Sequence, residues 1–441
     1  MKMNTRSIAL ACLVLLYSGF AYADETLSGA WDVIVEFDGG KSGGVMRLSI
    51  DEKTITGTSE PLDENQFFPL TISGELDDQV DKIEFRFTDP FKTDIGVLFG
   101  VQSEGTIAGE GDLYGVPVTF SAKRSDRNLR APMKHSFDPS SFELQYESRR
   151  DPVLTLVPGD SVKTILLDNE GQDADLEYQA MPGNTLTGPF YVEGAMPGDT
   201  LVVHLRSIEL NRDTAKMYSR ELNKAAVQAG HVQTPEKGWG RNWRFDKKRR
   251  TAQIDAPGSA ISDLTLNLEP MIGSIGVAPP LNMALYAGDL WIHGGNIDYR
   301  RMREGTTLYL PVHRSGAYLV LGDGHALQGD GEISGQGLET SLNVEFEIDL
   351  IPDQRLPYLW SEDKEFVMVH GIDNTLDKAL QAATTGMTQW LKSNYGLNDS
   401  EIAALLSPTI NYDIAVIVNS RPHVVARIPK RILEMIERRE D

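Results

Sequence analysis

The strongest constraint on this chain's fold is an apolar–polar alternation from Leu27 to Lys123. Trp31, Val33, Val35 and Phe37 alternate with Asp32 and Glu36, and Ile83, Phe85 and Phe87 alternate with Lys82, Glu84 and Arg86. A period of two sends successive side chains to opposite faces of an extended strand, so one face is apolar and the other polar. Turn formers such as Asp38-Gly39-Gly40 and Glu110-Gly111-Asp112 recur at short spacing. The spacing predicts an antiparallel, barrel-like β domain of about eight strands over residues 24–124. Its inward residues are expected to fill a core rather than line a ligand cavity.

The N-terminus carries Lys2 and Arg6, an apolar run from Ile8 to Tyr17, and Ala21-Tyr22-Ala23 before Asp24. That order of charge, apolar core and small residues is the grammar of a secretory signal peptide, so residues 1–23 are expected to be removed after Ala23 and the mature protein to be periplasmic or secreted. No later stretch is long and apolar enough to span a bilayer. Cys12 is the single cysteine and would leave with the signal, which excludes disulfides, thiol nucleophiles and zinc–thiolate sites in the mature chain. The net charge of −22 becomes more negative by two when Lys2 and Arg6 go. So acidic a surface disfavours nucleic acid and anionic membranes as partners and favours a small neutral or cationic molecule. The basic run Lys247-Lys248-Arg249-Arg250, near Trp239 and Trp243, reads as a solvated loop in this setting.

Residues 125–141, charged and proline-bearing, read as a linker to a second domain over residues 142–441. Strand patterns dominate that domain as far as Asp349. Thr375 to Asn394 is predicted helical, with Leu376, Leu380, Ala383, Met387 and Leu391 on one face and Gly396 just beyond its end. Asn398 with Glu401 forms a capping-box pattern for a second helix, and a hairpin over Tyr412–Val418 and Val424–Ile428 follows.

Chemistry concentrates between His293 and Glu339. Two polar, glycine-hinged segments, 292–298 and 322–332, flank an apolar run, Thr307 to Leu321, that reads as two strands with a turn. Glycine lets backbone and short acidic side chains approach a ligand closely, and strand ends hold such segments in place. Asp298, Asp323 and His325 are the expected ligands of a divalent metal, with His293 as a possible extra one. Glu332 either completes the shell or acts as general base. Asn296 and the amides of Gly294, Gly295 and Gly324 are expected to hold a carbonyl oxygen. Glu193 is open between acid–base work and a structural ion pair, whereas Asp199 and Asp330 read as turn formers. The chain has no His-Glu-x-x-His helix.

Gly188 to Asp199, Gly273-Ser274-Ile275-Gly276-Val277-Ala278-Pro279, Gly294-Gly295-Asn296-Ile297-Asp298 and Gly322 to Glu332 resemble, in order, the motifs of the acetamidase/formamidase family, over roughly residues 142–433. The resemblance implies a β-rich domain with flanking helices. It also implies hydrolysis of a linear carboxamide, formamide- or acetamide-like or larger, to carboxylate and ammonia. A divalent metal, zinc first and calcium as the alternative, and a homo-oligomer are further implications. Export and the additional β domain depart from the family's familiar single-domain members, which leaves open a non-catalytic periplasmic small-molecule binding protein built on an amidase pocket.

Overall fold

The structure, a computed structural model, describes residues 27–438 apart from 39, 62–69, 78–81, 90, 104, 125–128, 218–220, 229, 232–241, 282, 353 and 355. The expected signal peptide and Trp239 lie outside the described residues. The chain divides into two compact units, Met1–Asn128 and Leu129–Asp441.

The first unit is a closed barrel of eight antiparallel strands in sequence order, from Gly29–Phe37 to Val116–Arg124, with the first and last strands paired. The alternation read in the sequence becomes the inside and outside of this barrel. Trp31, Ile55, Ile72, Phe85, Leu98, Ile107 and Phe120 are buried inside it. Trp31 closes one end, its indole donating to the Leu27 carbonyl at 2.9 Å beneath the Arg124 guanidinium. The expectation of a filled interior holds for only part of the barrel. Val33, Val35, Phe37, Leu98, Leu113 and Val118 border an apolar cavity of about 250 Å³.

The second unit is a β sandwich. A six-stranded sheet runs in the order Leu154–Leu156, Leu186–Val192, Leu319–His325, Met271–Gly276, Gly294–Asn296, Leu290–Trp291. A nine-stranded sheet faces it, built outward from the long pair Thr200–Leu210 and Leu342–Ile351. Ile272, Ile275, Leu319 and Leu321 from the first sheet meet Leu201, Val203, Leu205, Leu308, Leu310, Phe346 and Ile348 from the second in one continuous core. Two details correct the sequence reading. Lys134–Ser136, inside the segment read as linker, is the edge strand of the nine-stranded sheet and pairs with Ser161–Leu166. Thr307–Pro311 and Leu319–His325 are both strands, but the turn between them carries the chain from one sheet to the other. Trp243, near the basic run, sits in the strand Asn242–Asp246 and packs into a small core with Ala215 and Ile254.

Helix Leu376–Tyr395 covers the outer face of the nine-stranded sheet. Thr375 caps its start and Gly396, at φ 62°, ends it in the left-handed conformation. The buried face is Ala379, Ala383, Gly386, Met387 and Leu391, whereas Leu376 and Leu380 are exposed, so the expected face is rotated. Small residues set the rotation. A Cβ on Gly371 of the sheet would lie 2.1 Å from the Ala379 carbonyl oxygen, and only a helix face of alanine and glycine approaches so closely. On the same strand Val367 and Val369 face the helix while Met368 joins the sandwich core. Helix Asp399–Thr409 carries the expected capping box of Asn398 and Glu401. Among the described residues no helix is long and apolar enough to cross a membrane.

Candidate active site

Strand Met271–Gly276 draws the two polar segments together. It pairs with Gly294–Asn296 on one side and with Leu319–His325 on the other, placing Ser274 opposite both Asn296 and Gly322. Asp298 follows the first neighbour, and Asp323 and His325 end the second. The alternation of the strand sends Asp323 and His325 to one face. Asp298, Asp323 and His325 present ligand-type atoms within 4.8 Å of one another, and so do His325, Glu332 and Glu339. His325 Nε2 lies 3.0 Å from Glu339 Oε2 and 3.6 Å from Asp323 Oδ1. All five side chains are buried, Glu332 at 6% exposure being the most open.

The backbone under this cluster is unusual. Asp298, Asp323 and Glu332 have φ values of 37°, 59° and 46°. Non-glycine residues avoid that region, and each such residue costs about 1–3 kcal/mol that the surrounding structure must offset. Gly273 shows the opposite requirement. A Cβ there would lie 2.7 Å from both Asp298 Oδ1 and Asp323 Oδ2, so the floor beneath the two carboxylates has room for hydrogen only.

A polar collar fixes the carboxylates. Asn296 accepts from Ser274 Oγ at 2.6 Å and from Asn184 Nδ2 at 2.9 Å, and its own Nδ2 donates to Asp298 Oδ2. Asn184 Nδ2 also reaches Asp323 Oδ2 at 3.2 Å, and Asn419 Nδ2 donates to Asp298 Oδ2 at 2.7 Å. Asp298 Oδ1, Asp323 Oδ1 and His325 Nδ1 are nevertheless buried with no hydrogen-bond partner. Burial, reinforced by Asp323, pushes the Asp298 carboxyl up to about 8. Burial and then Asp298 push Glu332 well above the usual carboxylate range, and burial pushes Glu339 up to about 7 against the pull of His325. Burial opposes charge on His325, but Glu339 and Asp323 outweigh it and hold the imidazole well above its ordinary value. A buried group of acids that retain protons, with orphaned oxygens converging, is short of positive charge. Carboxylate and imidazole donors suit a divalent cation, and the residues present therefore fit the one implied by the resemblance.

Not every expected site residue joins this cluster. His293 is buried in the turn before Gly294, its ring edge-on to Tyr146 at 4.7 Å, and it belongs to neither ligand-type group. Burial, with His313 and Arg421 nearby, pushes it down to about 3. Glu193 is exposed at the end of strand Leu186–Val192 and belongs to neither ligand-type group. Asn296 spends its amide on Asp298, Ser274 and Asn184, which makes it a fastener of the carboxylate and not a donor for a carbonyl oxygen. Gly294 and Gly295 are ladder positions between two neighbouring strands, and the Gly324 amide donates to the Leu167 carbonyl at 3.4 Å. None of the three is an open loop amide.

Sequence reasoning passed over Glu339, Asn184, Ser274 and Asn419. Ser274 lay inside a quoted motif and Glu339 at the very edge of the polar stretch. Asn184 and Asn419 come from loops distant in sequence, and no local pattern marks them.

The acetamidase/formamidase family matches residues 152–286 and 291–435, and the chain belongs to that family of amidases. A formamidase of Methylophilus methylotrophus is 25% identical across 51% of this chain and 69% of its own length. Among solved structures, a predicted acetamidase/formamidase from Thermoanaerobacter tengcongensis superposes with a TM-score of 0.59 at 27% identity, covering 69% of this chain and 99% of that one. An acetamidase from Bacillus halodurans gives 0.58 at 26% identity, covering 68% and 99%.

Proposed function

We propose that the second unit hydrolyses the C–N bond of a small linear carboxamide, RCONH2 + H2O giving RCOO⁻ and NH4⁺. The observation that carries this reading is the buried cluster of Asp298, Asp323, His325, Glu332 and Glu339 on left-handed backbone at three of its five positions. Asp298, Asp323 and His325 would hold a divalent cation, which when bound supplies Lewis-acid chemistry to the amide carbonyl. Glu332, whose raised pKa makes its carboxylate a stronger base than an ordinary one, would in its ionised form take a proton from the attacking water and return it to the departing amine. Glu339 turns the His325 ring by its contact at Nε2. Asn296 and Asn419 hold Asp298, and Asn184 holds Asp323. The low exposure of the whole cluster favours a substrate with a short acyl group. Ammonia release from a series of amides of increasing acyl length tests the reading. Turnover is expected to be greatest for the shortest members and to fall as the chain lengthens; no release from any linear amide would overturn it.

A further inference from the structure

Behind the cluster, three buried side chains that the proposed chemistry does not use form a connected line. Ser361 Oγ lies 2.8 Å from His370 Nε2, His370 Nδ1 lies 3.0 Å from His423 Nε2, and His423 Nδ1 lies 2.8 Å from the Ile297 carbonyl oxygen. All three are no more than 1% exposed. They come from neighbouring strands of the nine-stranded sheet, and the line ends on the peptide after Gly294–Asn296 of the other sheet. The two imidazoles stack at 5.1 Å, and the Tyr299 ring stands edge-on to both.

The chemistry of the last contact fixes the direction of all the others. A carbonyl oxygen only accepts, so His423 Nδ1 carries a proton and donates it. Burial pushes His423 down to about 4 and His370 well below its ordinary range, which leaves both rings neutral with one proton each. His423 Nε2 is therefore an acceptor, His370 Nδ1 the donor to it, and His370 Nε2 the acceptor of the Ser361 hydroxyl proton.

The end point of this line is the residue whose backbone is strained. The Ile297–Asp298 peptide is held at its oxygen by His423 and at its nitrogen, where the Asp298 amide donates to the Gly273 carbonyl at 3.1 Å. The next peptide is held at the Asp298 carbonyl by Gln328 Nε2 at 2.6 Å. Asp298 at φ 37° sits between two clamped planes, and a side chain in that region persists only where its surroundings over-determine it.

We propose that Ser361, His370 and His423 form a one-directional hydrogen-bond line that clamps the Ile297–Asp298 peptide and aims the Asp298 carboxylate, making His423 a positioning residue. The line orients and moves no proton. Only its kinetic consequence rests on the proposed amidase chemistry.

Histidine-selective 15N NMR on the full wild-type chain tests the line without any variant. Both His423 and His370 are expected as neutral Nδ1–H tautomers at neutral pH; an Nε2–H form of either, or a charged ring, overturns the proposal. His423→Asn places an amide N–H where Nδ1–H was, and His423→Phe has none. The 13C signals of Asp298 in aspartate-labelled protein should keep their left-handed signature in His423→Asn and lose it in His423→Phe, and kcat for amide hydrolysis should fall about 10- to 100-fold in His423→Phe with most of it restored in His423→Asn. Equal behaviour of the two variants, or a folded His423→Phe with wild-type Asp298 signals, overturns the clamp. If the wild type releases no ammonia from amides, the function proposed above fails while the tautomers and the Asp298 signals still decide the clamp. Should His423→Phe fail to fold, the wild-type tautomers and the His423→Asn signals decide it.

Discussion

The barrel and the sandwich treat buried polarity in opposite ways. Inside the barrel the described buried side chains are apolar; Arg47, the one charged residue buried among the described residues of that unit, lies on the opposite face of its strand from the interior Met46 and Leu48. Inside the sandwich unit Asp298, Asp323, His325, Glu332 and Glu339 are all buried, several of their polar atoms without partners. Taking an ionised group out of water costs several kcal/mol unless it is paired, so natural interiors avoid it. The barrel follows that rule with its alternating pattern. The sandwich breaks it at this cluster, on strained backbone, and that is where we place the proposed chemistry.

The largest effects should come from breaking the exception. Asp323→Asn and His325→Ala are expected to lose bound cation and hydrolysis together, down to background, as read by elemental analysis and ammonia release. Activity surviving in both would remove the cluster from the account. Glu332→Gln should act differently. It is expected to keep the cation while lowering turnover about 100- to 10,000-fold, the usual worth of a positioned acid or base; simultaneous loss of cation would reassign Glu332 as a ligand.

Breaking the rule-abiding half should leave the chemistry alone. Phe85→Ala opens a cavity in the barrel and is expected to cost that unit about 3–5 kcal/mol in denaturant unfolding. Because every residue of the cluster lies within Leu129–Asp441, kcat for amide hydrolysis should stay at its wild-type value. A parallel loss of kcat in the folded variant would show that the barrel contributes to the reaction.

A subtler contrast is in pH. The folded-state pKa of Asp298 is raised from 3.8 to about 8, and that of His325 is raised well above 6.5. Between the unfolded and folded values the folded, cation-free protein holds protons that the unfolded chain releases, so stability falls as pH rises. For Asp298 the contribution is complete below the unfolded value of 3.8 and is lost as pH rises through about 8; for His325 the loss begins above 6.5. The unfolding transition of the chelated sandwich unit should therefore shift to lower temperature from about pH 5 to about pH 8, and added cation should flatten the slope. An upward shift over that range would contradict the protonation assigned to the cluster.

How much of this was legible follows from the range of each signal. Barrel alternation, the Asn398–Glu401 cap and the Gly396 stop are local, and each appears in the structure as read. The grouping of Asp298, Asp323 and His325 was also legible, since glycine-hinged acids at strand ends announce themselves. What escaped depends on contacts across the fold. The buried face of the first helix is chosen by Gly371 on a strand of the sheet beneath it, so Leu376 and Leu380 looked apolar yet face outward. His293 shared a segment with the site, but the turn at Gly294 sends its ring against Tyr146. Asn184 and Asn419 enter the site only because the two sheets bring their loops to it.

The central claim is that the buried acidic cluster in the sandwich is a hydrolytic cation site. Ammonia release from acetamide, followed before exhaustive chelation, after it, and after a divalent cation is returned, tests this most directly. The account predicts release that stops on chelation and recovers when the cation is restored. Release that continues undiminished in the chelated protein would contradict it.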